Sequence, residues 1–172
     1  MSHMANVKFK GAIVHTNGEL PELGSKAPDF VLTDGDLKDH TLHDFHGKRK
    51  LISIVPSLDT GVCAMSAKKF NDAAKHHPDV LVFFVSADLP FAQKRLCGLE
   101  NLHNILTLSM MRSKEFATKY GVLLIDGPLA GLTARAVIVL DAKEKVLYHE
   151  LVEEITQEPN YKQALDALLH AK

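Results

Sequence analysis

LISIVPSLDTGVCAMSAKKF, residues 51–70, changes its pattern half-way along, and that change decides the fold. Residues 51–55, apolar but for Ser53 and rich in β-branched side chains, carry the signature of a strand covered on both faces; Pro56 removes the next backbone donor and ends it. Beyond Cys63 the period is helical. Cys63, Ala67, Phe70 and Ala74 share one face, while Lys68, Lys69, Asp72 and Lys75 turn away. Ser57, Asp59 and Thr60 are N-cap types and Gly61 permits a tight approach, so Cys63 is expected in the first turn of a helix. Free N–H groups and the positive end of the helix dipole favour a thiolate there. Position alone leaves two readings of Cys63 open, a nucleophile or a small buried hydrophobe.

Downstream, the apolar run 80–85 is a second strand, followed by Ala87-Asp88-Leu89-Pro90 and a helical stretch, 91–96, that reaches Cys97 and Gly98. Strand, long crossover helix and strand make a parallel βαβ unit. Residues 105–108 predict another strand and 113–120 another helix, stopped by Gly121. Residues 134–151 predict a hairpin turned at 141–145, and Pro159 opens a last helix with Tyr161, Ala164, Leu165 and Leu168 towards the core. Upstream, residues 7–22 flank Asn17-Gly18 and predict an edge hairpin turned there; 28–32 is a short strand, and 34–48 is loop with one helical turn. This order predicts an α/β, thioredoxin-like fold: a central mixed β-sheet flanked by helices, with an N-terminal β-hairpin.

The chain has 172 residues and is 46% hydrophobic, enough for one domain with a real core, placed at residues 5–172. Met1-Ser2-His3-Met4 reads as a cloning scar. Lysine plus arginine number 20 against 21 acidic residues, a net charge of −1, so neither nucleic acid nor a membrane surface is an expected partner. No apolar run approaches the roughly 20 residues of a spanning helix, and no signal-peptide core opens the chain; a cytoplasmic location is expected. Cys63 and Cys97 are the two cysteines; they match no zinc spacing and read as a redox pair or two unrelated thiols. His40, His43 and His46 lie outside any clear helix with no cysteine nearby, so no metal and no cofactor is expected. Met65, Met110 and Met111 read as core filling.

Pro56, Thr60 and Cys63 give the spacing P-x-x-x-T-x-x-C, which resembles the active-site signature of peroxiredoxins. The string 57–63, together with Ala87-Asp88-Leu89-Pro90-Phe91-Ala92-Gln93 before Cys97, is similar to the thiol peroxidase subfamily, the atypical two-cysteine peroxiredoxins. Asp126-Gly127-Pro128-Leu129, Ala134-Arg135-Ala136-Val137 and Glu154-Ile155-Thr156 extend the resemblance over residues 7–169. The resemblance implies a peroxidatic Cys63 that becomes a sulfenic acid, and a resolving Cys97 that closes an intramolecular disulfide. It also implies that Thr60 holds thiolate and peroxide, that Pro56 shields the pocket and that Arg135 supplies a positive charge at the sulfur. Hydrogen peroxide or an organic hydroperoxide would be the substrate, thioredoxin the reductant and a homodimer the assembly. Residue by residue, Thr60 is equally a plain N-cap and Arg135 a surface cation. Three rival readings are a cysteine hydrolase, a binding module on a thioredoxin fold and a dithiol oxidoreductase. The first lacks a histidine motif and the last lacks Cys-x-x-Cys.

Overall fold

In the computed structural model, which describes residues 3–170, the apolar run becomes strand β5 (Arg49–Ile54), with Leu51, Ile52 and Ile54 fully buried. Of the residues read as a cloning scar, Met1 and Ser2 lie outside the described ones. In chain order the strands are β1 (Asn6–Phe9), β2 (Ala12–His15), β3 (Val31–Thr33), β4 (Asp39–Thr41), β5, β6 (Val80–Ser86), β7 (Leu106–Ser109), β8 (Ala136–Leu140) and β9 (Val146–Leu151). The helices are α1 (Gly61–Lys75), α2 (Pro90–Leu99), α3 (Glu115–Lys119) and α4 (Tyr161–His170).

Seven strands form one mixed sheet in the order β4-β3-β7-β6-β5-β8-β9. β5, β6 and β7 run parallel, as the long helical crossovers demand, while β3 joins β7 and β8 joins β5 antiparallel. Alternation along β5 then divides the core. Leu51 and Val55 pack in one layer with Phe70 of α1 and Leu168 of α4; Ile52 and Ile54 pack in the other with Phe116 of α3. The expected α1 stripe, Cys63, Ala67, Phe70 and Ala74, is buried as a unit. On α4, Ala164 and Leu168 are buried, and Tyr161 and Leu165 pack partly buried against the same layer.

The N-terminal hairpin exists, but its turn is not at Asn17-Gly18. β1 and β2 are joined by Lys10-Gly11, both with positive φ (52° and 84°), the mirror-image turn that matches strand twist. Asn17 serves another purpose: its amide donates to the Thr118 carbonyl at 3.0 Å and accepts from the Leu123 amide at 3.0 Å. Inside the expected loop 34–48, three polar residues form the edge strand β4, with a 3-10 turn at His43–Phe45 behind it. No helix among the described residues is long and apolar enough to cross a membrane.

Candidate active site

The end of β5 is held before the chain turns. The Val55 amide donates to Val85 O at 3.0 Å, and the buried Thr133 hydroxyl donates to Val55 O at 3.0 Å. Pro56, itself buried, then stops the ladder, and α1 starts five residues on. Thr60 is the N-cap, extended at φ −128°, ψ 150°, and its Oγ1 accepts from the Cys63 amide at 3.3 Å. Cys63 thus sits in the first turn of α1, fully buried.

Arg135 reaches it from the other side. It immediately precedes β8, is 2% exposed, and donates from Nη1 to Cys63 Sγ at 3.0 Å. Its Nε donates to the Ile155 carbonyl at 2.9 Å, which fixes the plane of the guanidinium. Ile155 is in turn anchored to the hairpin: its amide donates to Lys8 O at 2.8 Å, and the Lys8 amide donates to Glu153 O at 2.7 Å. A permanent charge at 3.0 Å from sulfur and away from water acts with little screening. That geometry aims a charged, buried N–H donor directly at the sulfur.

One turn beyond Cys63, the Ser66 hydroxyl lies 2.8 Å from the Tyr161 phenol, which donates to Glu158 Oε1 at 2.9 Å. Burial pushes the Tyr161 hydroxyl up to about 12, with Arg135 pulling the other way, so it remains a neutral donor. This contact pins α4 to the helix that carries the cysteine.

Cys97 lies in the last turn and a half of α2, half-buried, against the same core layer as Cys63. Both are free thiols. Burial pushes the Cys97 thiol up from its ordinary range, against a hydrogen bond from the Thr107 side chain. Between the loop before Cys63 and α2 lies a cleft of about 210 Å³, lined by Leu58, Asp59 and Asp88 and by Ala92, Arg95, Leu96 and Leu99.

The residues singled out in the sequence therefore divide. Thr60, Cys63 and Arg135 converge through hydrogen bonds, Pro56 ends the strand behind them, and Cys97 stands on a separate helix with its sulfur unbonded. His40 and His46 lie against separate carboxylates, Asp34 at 2.6 Å and Glu144 at 3.0 Å. Core filling describes Met110, which is buried, but not Met65, which is 50% exposed because it turns off the buried stripe of α1. Two contacts escaped the sequence reading, that of Arg135 with the Ile155 carbonyl and that of Ser57 with the Asp88 carboxylate. The Ile155 carbonyl and the Asp88 carboxylate act across 20 and 31 residues of chain, which no local spacing signals.

The model of the Redoxin family matches residues 22–165, and the chain belongs to that family. Within it, the chain is 49% identical over 165 residues to the thiol peroxidase of Mycobacterium bovis, covering 96% of this chain and 99% of that protein. The crystal structure of a peroxiredoxin-like protein from Aquifex aeolicus superposes with a TM-score of 0.92 at 40% identity, covering 99% of both chains. A thiol peroxidase from Chromobacterium violaceum matches with a TM-score of 0.87 at 26% identity, over 95% of this chain and 94% of that one.

Proposed function

We propose that the chain is a thiol-dependent peroxidase of the peroxiredoxin type in which Cys63 is the peroxidatic residue. The observation that carries this assignment is the buried guanidinium of Arg135, 3.0 Å from Cys63 Sγ. The Cys63 thiolate attacks one oxygen of a hydroperoxide; the O–O bond breaks and the other oxygen leaves as water or an alcohol after taking up a proton. Arg135 stabilises both the nucleophile and the charge that develops on the departing oxygen. Thr60, whose hydroxyl stands at the helix start, orients the peroxide, and Pro56 keeps bulk water off the sulfur.

The Cys97 sulfur then attacks the Cys63 sulfenic acid, displacing hydroxide and closing an intramolecular disulfide. The two sulfurs stand on different helices and are unbridged here, and the bond requires Cα atoms within about 7 Å. A dithiol reductant resets the pair, and thioredoxin in the cytoplasm fits that requirement. A homodimer is the assembly the family resemblance suggests. The coupled assay is NADPH oxidation with thioredoxin and its reductase, using hydrogen peroxide and cumene hydroperoxide in turn. Steady consumption by wild type and background rates for Cys63→Ser are expected. Substantial turnover by Cys63→Ser removes the assignment, since an alkoxide is out of reach near neutral pH.

A further inference from the structure

Asp88 lies between the two cysteines in sequence, at the exit of β6, and its carboxylate is the knot of a hydrogen-bond network joining their two supports. Oδ1 accepts from the Ser57 hydroxyl at 2.7 Å, and Oδ2 accepts from the Leu58 amide at 2.7 Å and the Ser86 hydroxyl at 2.7 Å. From Ser57 the chain of contacts runs towards Cys63: the Asp59 amide donates to Ser57 Oγ at 3.1 Å, and the Thr60 hydroxyl donates to Ser57 O at 3.4 Å. From Ser86 it runs towards Cys97. Fully buried Gln93, one turn before Cys97 on α2, donates from Nε2 to Ser86 Oγ and to Leu108 O, both at 3.0 Å.

We propose that Asp88 is a positioning residue, a clasp that holds the peroxidatic loop and α2 in the dithiol arrangement and must open before Cys97 can bond to Cys63. The inference rests on the two-cysteine reading above. Three acceptor contacts on one carboxylate are charge-assisted, so they favour the arrangement that makes them over any that parts Ser57 from α2. The clasp is not symmetrical. The Gln93 Oε1 atom is buried with no hydrogen-bond partner among the described residues, so the α2 side carries an unmet polar group that unwinding would hydrate. Gln93 Oε1 is the one buried side-chain N or O atom without a partner among the described residues, so the loop side carries no such atom and α2 is the side that yields.

The consequence is thermodynamic. Removing the carboxylate weakens the dithiol state selectively and shifts the thiol–disulfide equilibrium towards the disulfide. The test equilibrates full-length protein in dithiothreitol redox buffers without peroxide, then reads the Cys63–Cys97 disulfide by alkylation and intact mass. Asp88→Ala is expected to favour the disulfide about tenfold over wild type. Asp88→Asn, which keeps the shape and one acceptor oxygen, shifts it in the same direction by less and covers the case in which the alanine variant fails to fold. Tyr120→Phe, which deletes a hydroxyl donating to Pro28 O at 2.6 Å in the core layer opposite the one that holds both cysteines, lowers stability without moving the equilibrium. An unmoved equilibrium in the folded Asp88 variants, or a wild type that forms no intramolecular disulfide, overturns the clasp. Peroxide consumption is measured in parallel. Inert wild type with a shifted equilibrium removes the peroxidase reading alone; active wild type with no shift removes the clasp alone.

Discussion

The two cysteines stand on helices of opposite character. α1 buries six residues including Cys63, and its N-terminus is capped by Thr60. α2 buries only Pro90 and Gln93 among the described residues, has no side-chain cap bond, and leaves Phe91 and Leu99 64% and 68% exposed. Burial of apolar surface is what holds a surface helix, so α2 is the less stable of the two. The difference teaches how labour is divided. Cys63 is kept in one place, where Arg135 and the Thr60 cap meet it, whereas Cys97 is placed on an element with little buried surface to lose; under the proposed function, the first is the sulfur that meets peroxide and the second the one that resolves it.

The harshest way to break this comparison is to loosen the rigid side. Arg135→Ala removes the charge at Cys63 and is expected to slow Cys63 oxidation by about 10²- to 10³-fold, the usual loss for one preorganised donor. Stopped-flow competition for hydrogen peroxide measures it; an unchanged rate constant would mean that the 3.0 Å contact has no part in the chemistry. Next comes the less buried side, α2. On forming the disulfide, amide exchange should rise by about tenfold or more in residues 91–98 and stay low through the body of α1. Equal protection of the two segments in the oxidised protein would erase the distinction between them.

Thr60→Val keeps the side-chain shape and deletes the hydroxyl. It should cost about 1 kcal/mol in denaturant unfolding through the lost cap, and about tenfold in peroxide rate. Full activity would make Thr60 a cap and nothing more. The smallest effect is set by Cys97. Its folded thiol titrates above its unfolded value, so its contribution to stability is complete below the unfolded range and is lost as pH rises through the folded one. Reduced wild type should therefore lose stability above the ordinary thiol range more than Cys97→Ser does, and disulfide closure should accelerate over the same interval as the attacking thiolate forms. Parallel pH profiles for the two proteins would show that burial of Cys97 is not felt.

Strand β5, Pro56 and the α1 stripe were legible because a continuous apolar run, a proline and a helical period are local signals. Arg135 could be named through the family resemblance, but its seat on the Ile155 carbonyl could not, since that contact depends on where the chain folds back. The hairpin turn was misplaced for an equally physical reason. Asn-Gly is the stronger turn pair in isolation, yet Asn17 bonds better across to Thr118 and Leu123, while Gly11 lets Lys10 take the tight turn. β4 has three polar residues on a sheet edge and offers no period to read. Asp88 passed as part of a motif; its three hydrogen-bond partners are brought together only by the fold.

The seat of Arg135 also sets an order of events during synthesis. Cys63 precedes Arg135 by 72 residues and Arg135 precedes Ile155 by a further 20. At ribosomal rates of about 5 to 20 residues per second, the thiol exists for about 5 to 18 seconds before the carbonyl that aims its guanidinium has been made. Throughout that interval Cys63 is an ordinary cysteine on an incomplete chain. The contact between Arg135 and the sulfur gains its Ile155 seat only when the segment that follows β9 closes, so a polypeptide cut short of residue 155 lacks the arrangement on which the proposed chemistry depends.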